Sequence, residues 1–182
     1  MALEPALTRE ERLRRVGIVC ANFARNLAYY RASRIDGARM LPNANFWVTL
    51  EGNCIDVAVL EWCKLFGEQT GRHFWRNVVA DGDRFKADLL VEAALTEAEL
   101  GELIQSVRRY RDRFVAHLDD DRTMHIPLFD RLWLTTRYYF SHVVLIEMNA
   151  EERVRGGLTD LEVYYETCRT EASHIFARAA QA

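Results

Sequence analysis

Arg111, Asp112 and His117 are the residues of this chain whose types and spacing could do chemistry. The ordinary pKa of histidine suits proton transfer near neutral pH. The planar guanidinium of arginine can bind a phosphate group through two parallel N–H donors. If these groups meet in a cleft, they could bind or cleave a phosphodiester.

If these residues cleave RNA without a metal ion, each of them has a definite role. The 2′-hydroxyl must lose its proton, the phosphorane charge must be stabilised, and the leaving 5′-oxygen must gain a proton. We expect His117, near its ordinary pKa, to act as base or acid, and Arg111 to hold the phosphate. Asp112 would orient Arg111 or the histidine of a partner chain. Arg109 and Arg113 are further candidates for contact with the substrate.

Helical geometry restricts how Arg111 and His117 can meet. Six residues at about 100° each place the two side chains roughly 120° apart on an ideal α-helix. The helix could be distorted near its end, the two groups could meet across a dimer, or Arg113 could be the partner of His117, four residues away. A purely structural alternative is an exposed salt-bridge ladder of little energetic value, formed by Arg109, Asp112, Arg113 and His117.

The spacing of arginine and histidine is not diagnostic by itself, because 22 of the 24 basic residues are arginine. That bias fits either phosphate recognition or the codon usage of a GC-rich genome. Two further pairs have a similar spacing, Arg137 with His142 and Arg169 with His174. What distinguishes Arg111 is the acid that follows it, Asp112. His142 lies in a helix rich in aromatic residues, where we expect it to be a core or interface residue.

The stretch YRDRFVAHLDDD at residues 110–121 resembles the HEPN family of helical-bundle proteins, in particular its abortive-infection branch. The mark of that family is an arginine, then a polar residue, and a histidine a few residues further on, here Arg111, Asp112 and His117. The resemblance implies a metal-independent endoribonuclease of a toxin–antitoxin or phage-defence system, with RNA as substrate and a protein antitoxin as partner. It also implies a homodimer with the site built across the two-fold axis. It does not extend over residues 34–94.

Two alternatives to a ribonuclease stay open at this point. The chain could be a catalytically silent HEPN-like module that binds RNA, a nucleotide or a protein. It could also be a helical bundle whose role is dimerisation alone. Convergence of the two His117 side chains of a dimer on one basic cleft would favour a ribonuclease or a binding module over a bundle that only dimerises.

Capping motifs and apolar periodicity predict an all-α protein. Thr8, Thr96 and Thr159 each precede a glutamate by three residues, the pattern of a capping box. Apolar residues at intervals of three and four predict long helices at residues 8–30, 44–66, 96–117, 127–148 and 159–179. Three aspartates at 119–121 would be unfavourable at a helix C-terminus, so they indicate that the third helix has ended.

These helices predict a single antiparallel bundle domain over residues 1–182. Residues 68–94 are less regular and predict a short helical excursion, which Phe74, Trp75 and Phe85 would pack onto the bundle.

The composition suits a soluble globular protein, with 49% hydrophobic and 28% charged residues. No apolar run approaches the roughly 20 residues that span a membrane, and the N-terminus does not read as a signal peptide, so we expect a cytoplasmic protein. The four scattered cysteines predict buried free thiols, and no metal or cofactor is expected. With a net charge of −3, contacts with nucleic acid would be local rather than broad.

Overall fold

The computed structural model describes residues 7–115 and 125–181, and within these ranges the prediction of an all-α fold is confirmed. The α-helices are α1 (Arg9–Ala32), α2 (Asn45–Trp62), α3 (Gly82–Glu92), α4 (Glu97–Tyr110), α5 (Phe129–His142), α6 (Ala150–Gly156) and α7 (Leu161–Ala179). A two-stranded antiparallel hairpin, β1 (Arg34–Ile35) and β2 (Ala38–Arg39), joins α1 to α2.

Helix α1 is the centre of the packing. Its predicted apolar stripe is fully buried: Leu13, Val16, Cys20, Phe23 and Leu27. The helix packs against α2 and α7 along most of its length and also contacts α5. Burial of each valine, leucine or phenylalanine of this stripe stabilises the fold by roughly 1.5–3 kcal/mol, so the stripe fixes α1 firmly in the core.

Two of the three predicted capping boxes are confirmed, and the third is wrong. Thr8 and Thr96 each exchange hydrogen bonds with the glutamate three residues on. Helix α7 instead begins after Asp160, whose carboxylate accepts from the backbone N–H groups of Glu162 and Val163. Aspartate is a better N-cap than threonine, so the helix starts one residue later than Thr159 would place it.

Helices α2, α4 and α5 each continue into a π-helical turn, at Cys63–Gly67, Arg111–Val115 and Val143–Glu147. Such widened turns are rare and frequently lie at functional sites. The turn Cys63–Gly67 packs against α4. The end of α2 therefore lies beside the end of α4, where the sequence predicted a site.

The excursion between α2 and α4 contains a 3₁₀ turn, Trp75–Asn77, and helix α3. The rings of Trp75 and Phe85 stack with their centroids 5.2 Å apart, and Phe85 meets Tyr139 of α5 edge-on at 5.3 Å. Phe74, Trp75 and Phe85 are all buried. The prediction that these aromatic residues pack the excursion onto the bundle is confirmed.

A buried side-chain hydrogen bond joins α2 to α5. The indole N–H of Trp62 donates to the hydroxyl oxygen of Thr135 at 3.0 Å, and both residues are fully buried. Thr136, the next residue, is buried to the same degree, but its hydroxyl only donates to the carbonyl of Leu132 at 2.8 Å. The two threonines therefore differ in whether they satisfy a buried donor of another helix.

Thr135→Val should lower the free energy of unfolding by about 1–3 kcal/mol more than Thr136→Val, because only the former leaves a buried N–H without an acceptor. Urea denaturation of the two variants, followed by tryptophan fluorescence, measures the difference. Equal losses would mean that the bond from Trp62 adds nothing to the packing of the two helices.

Candidate functional site

Arg111 begins the π-helical turn that follows α4 and is held by two carboxylates. Its Nε donates to Oδ1 of Asp112 at 2.8 Å, and its Nη2 lies 2.8 Å from the same oxygen. Its Nη1 donates to Oε1 of Glu68, just beyond the end of α2, at 3.1 Å. The predicted pairing of Arg111 with its neighbouring acid is therefore present, and Glu68 joins it.

The three side chains lie at the surface with the guanidinium most enclosed. The Arg111 side chain is 18% exposed, against 55% for Asp112 and 47% for Glu68. Partial burial acts to lower the pKa of Arg111, but its hydrogen bond to Asp112 and the nearby carboxylates outweigh this, and the pKa is raised. A fixed cation with accessible counter-ions suits anion exchange, in which a phosphate replaces a carboxylate.

Gly67, in the turn that packs against α4, lies close to the side chains of Arg108 and Cys63. A Cβ at Gly67 would lie 3.4 Å from Cγ of Arg108 and 3.5 Å from the Cβ of Cys63. Burial raises the pKa of the Cys63 thiol to about 11, although the charge of Arg111 acts against this. The thiol is therefore protonated at neutral pH and is not a candidate nucleophile.

The structure places only part of the predicted set of site residues. It brings Arg111 and Asp112 together and shows Arg109 and Arg113 on the exposed surface of the same helix end. His117 lies outside the described residues, as do the aspartates at 119–121. The helix is distorted at Arg111–Val115, where the 100° step of an ideal α-helix does not hold, while the predicted distortion near His117 lies outside the described residues. The dimer and the role of Arg113 stay predictions.

Sequence reasoning missed Glu68. It lies 43 residues before Arg111 in the chain, and nothing in its local sequence marks it as a partner. The only available signal was its position directly after Gly67, where the end of α2 was expected. Predicting the contact required knowing that the ends of α2 and α4 meet.

A second polar cluster is structural. The buried carboxylate of Glu147 accepts from Arg9 at 2.5 Å and from the backbone N–H of Ala80 at 2.8 Å, and it lies 3.2 Å from Nε2 of His142. His142 is buried, which confirms its predicted place in the core. The cluster joins the start of α1, the segment before α3 and the end of α5.

Among the described residues, no group of three or more His, Cys, Asp or Glu side chains is placed to hold a metal ion. The four cysteines are buried and free, as predicted. In the same part of the chain, none of the helices combines the length and apolar character that crossing a membrane requires.

No protein-family model matches the chain, and neither a curated protein nor a solved structure does. The HEPN resemblance thus depends on residues 110–121, of which the structure describes the first six. The chemistry and geometry of Arg111 and its partners carry the functional proposal.

Arg111→Gln should lower the free energy of unfolding by less than about 1 kcal/mol, because ion pairs with exposed partners contribute little. Arg9→Gln is the contrasting variant, since it removes the arginine that pairs with buried Glu147 and should cost more. Thermal and urea denaturation measure both. If Arg111→Gln were the more damaging change, Arg111 would be chiefly a structural residue.

Proposed function

We propose that this protein is a HEPN-like, metal-independent endoribonuclease whose site includes Arg111, Asp112 and His117. One observation carries the proposal: an arginine held by the acid beside it, on a widened helix end, just before the segment that contains the histidine. π-helical turns are frequent at functional sites, which supports a functional role for this helix end.

The chemistry divides among these residues. Asp112 fixes the guanidinium by accepting from Nε and lying close to Nη2. Arg111 then faces the phosphate and stabilises the charge that develops when the 2′-oxygen attacks phosphorus. His117 of the same chain or of a second chain takes the 2′-hydroxyl proton or gives one to the 5′-oxygen. The products are a 2′,3′-cyclic phosphate and a 5′-hydroxyl end.

Binding of substrate requires Arg111 to exchange its contact with Glu68. The Glu68 side chain is about half exposed, so this ion pair is screened by water and costs little to break. A backbone phosphate offers two oxygens to the same guanidinium and competes directly with one carboxylate oxygen.

The proposed ribonuclease acts as a homodimer, and exposed apolar side chains follow the segment of the chain that contains His117. Ile126 and Leu128, which follow the segment containing His117, are 41% and 74% exposed. Contiguous exposed apolar surface marks interfaces between chains, and we propose that these two side chains form part of such a surface. As a cytoplasmic toxin or phage-defence effector, the protein would also bind an antitoxin.

A second candidate function is a catalytically silent module that binds RNA, a nucleotide or a protein. The ion pair of Arg111 with Glu68 favours it, because the guanidinium already has carboxylate oxygens at Nε, Nη1 and Nη2. In such a module Arg111 would serve mainly to hold the ends of α2 and α4 together.

His117→Ala should reduce the rate of RNA cleavage by about 10²–10⁴-fold, the usual contribution of a general acid or base. His174→Ala is the matched control, since His174 is exposed on α7 and lies within another arginine–histidine spacing. Cleavage of a labelled single-stranded RNA is measured with EDTA present, and toxicity on expression is scored alongside. Equal activity of the two variants would refute the assignment of His117.

Glu68→Gln separates the two candidate functions. For a ribonuclease, cleavage should persist or rise in Glu68→Gln, because Arg111 is released to the phosphate, while Arg111→Gln loses about 10²–10³-fold. For a silent module, wild type and both variants show no cleavage. Loss of cleavage in Glu68→Gln would contradict the proposed competition between Glu68 and phosphate.

A further inference from the structure

A pocket of about 330 Å³ lies between the start of α1 and the segment that follows α2. It is separate from the contacts of Arg111 described above. The residues that line it are Leu7, Arg12, Thr70, Gly71, Arg72 and Asn77. Two arginines and a threonine thus line one cavity.

A turn held by hydrogen bonds forms one wall of the pocket. The side-chain amide of Asn77 donates to the carbonyls of Gln69 and Gly71 at 3.0 and 2.9 Å. The backbone N–H of Gly71 donates to the carbonyl of Glu68 at 2.7 Å. A Cβ at position 71 would lie 2.9 Å from that carbonyl oxygen, so only glycine fits this turn without a shift of the backbone. The shape of the pocket is therefore fixed by hydrogen bonds.

Arg12 reaches across the pocket from α1. Its guanidinium donates to the carbonyl of Asn77 at 3.3 Å and to that of Leu7 at 3.5 Å. Arg72, which also lines the pocket, is exposed. Within the part of the chain that the structure describes, neither arginine forms an ion pair with a carboxylate, so their positive charges are not neutralised locally.

The acids close to this region are engaged elsewhere. Glu11 accepts from Thr8 in the capping box of α1, and this contact lowers the pKa of Glu11. Glu61 pairs with Lys64 at 2.9 Å. Glu68, which flanks the turn at Gly71, pairs with Arg111.

His73, next to Arg72, responds to the same positive surroundings. Burial lowers the pKa of His73, and the charges of Arg15, Lys64 and Arg72 add to the effect, while Glu61 opposes it. The histidine is therefore neutral at pH 7. An anion bound nearby would reverse part of this shift.

We infer that the pocket between Arg12 and Arg72 binds a phosphate group, either of a free nucleotide or of the backbone of single-stranded RNA. Guanidinium N–H groups and the hydroxyl of Thr70 are donors suited to phosphate oxygens. At roughly 30 Å³ for each water molecule, the volume admits a phosphate together with its attached sugar.

The pocket lies close in the chain to the candidate site. Glu68 pairs with Arg111 through its side chain and accepts from Gly71 through its backbone. An RNA strand could therefore contact both places. Phosphate binding in the pocket does not depend on cleavage and stands even if the protein is not a ribonuclease.

The test measures binding in a His117→Ala background, in which no cleavage is expected to confuse the result. A fluorescent single-stranded RNA is titrated with the full chain carrying Arg72→Gln, Arg12→Gln or the control Arg178→Gln. All three remove one positive charge, and Arg178 is exposed at the end of α7. We expect each pocket variant to lose at least about tenfold in affinity, consistent with the loss of one charge-assisted hydrogen bond, while the control changes little.

Two further experiments distinguish a phosphate of a free nucleotide from a phosphate of the RNA backbone. The same proteins are titrated with adenosine monophosphate and with inorganic phosphate, and the ring resonances of His73 are followed by NMR against pH. A rise in the pKa of His73 with the monophosphate indicates a nucleotide site, and a rise with RNA alone indicates a backbone site. Equal affinities of control and pocket variants for every ligand, with no change at His73, would overturn the inference.

Failure of this proposal and failure of the ribonuclease proposal give different results. RNA binding that is lost in Arg72→Gln, in a protein that never cleaves RNA, refutes only the ribonuclease. If His117→Ala abolishes cleavage while Arg72→Gln changes neither cleavage nor RNA binding, only the proposed phosphate site in the pocket is refuted.

Discussion

The burial of one face of α1 is the constraint on which the rest of the structure depends. Its apolar stripe is inaccessible to solvent, and both α2 and α7 pack against the helix. The position of α2 decides where the turn Cys63–Gly67 ends, and hence where Glu68 meets Arg111. The first turns of the same helix carry Arg12 to the pocket. The hydrophobic effect that places α1 thereby also positions both groups of charged residues.

Features determined by nearby residues could be predicted from the sequence. The buried stripe of α1, the N-caps Thr8 and Thr96, and the contact of Arg111 with Asp112 all depend on residues within a few positions of one another. Helical periodicity and capping chemistry act over that range. The wrong N-cap at Thr159 is a failure of the same local kind, since the competing acid, Asp160, was its neighbour.

Features that join distant segments could not be predicted in this way. The hairpin brings Arg34 and Arg39 to the buried carboxylate of Glu51. Because Glu51 lies in the next helix, the local sequence did not predict this cluster. The hairpin itself had a local signal that was overlooked: Asp36 and Gly37 have the positive φ values of a tight β-turn, as an Asp-Gly pair often does. The π-helical turns left no mark in the periodicity, because a wider turn at the end of a helix affects too few residues.

Glu68 links two parts of the surface that would otherwise act separately. Its carboxylate holds Arg111, and its backbone carbonyl supports the turn at Gly71. An anion that drew Arg111 away would release the Glu68 side chain, whose Oε2 lies 3.6 Å from where a Cβ at position 71 would stand. If phosphate groups bind at both proposed places, any coupling through Glu68 has the same free energy in both directions. Under the two proposals, one residue at the end of a helix would make the binding of one phosphate sensitive to the binding of another.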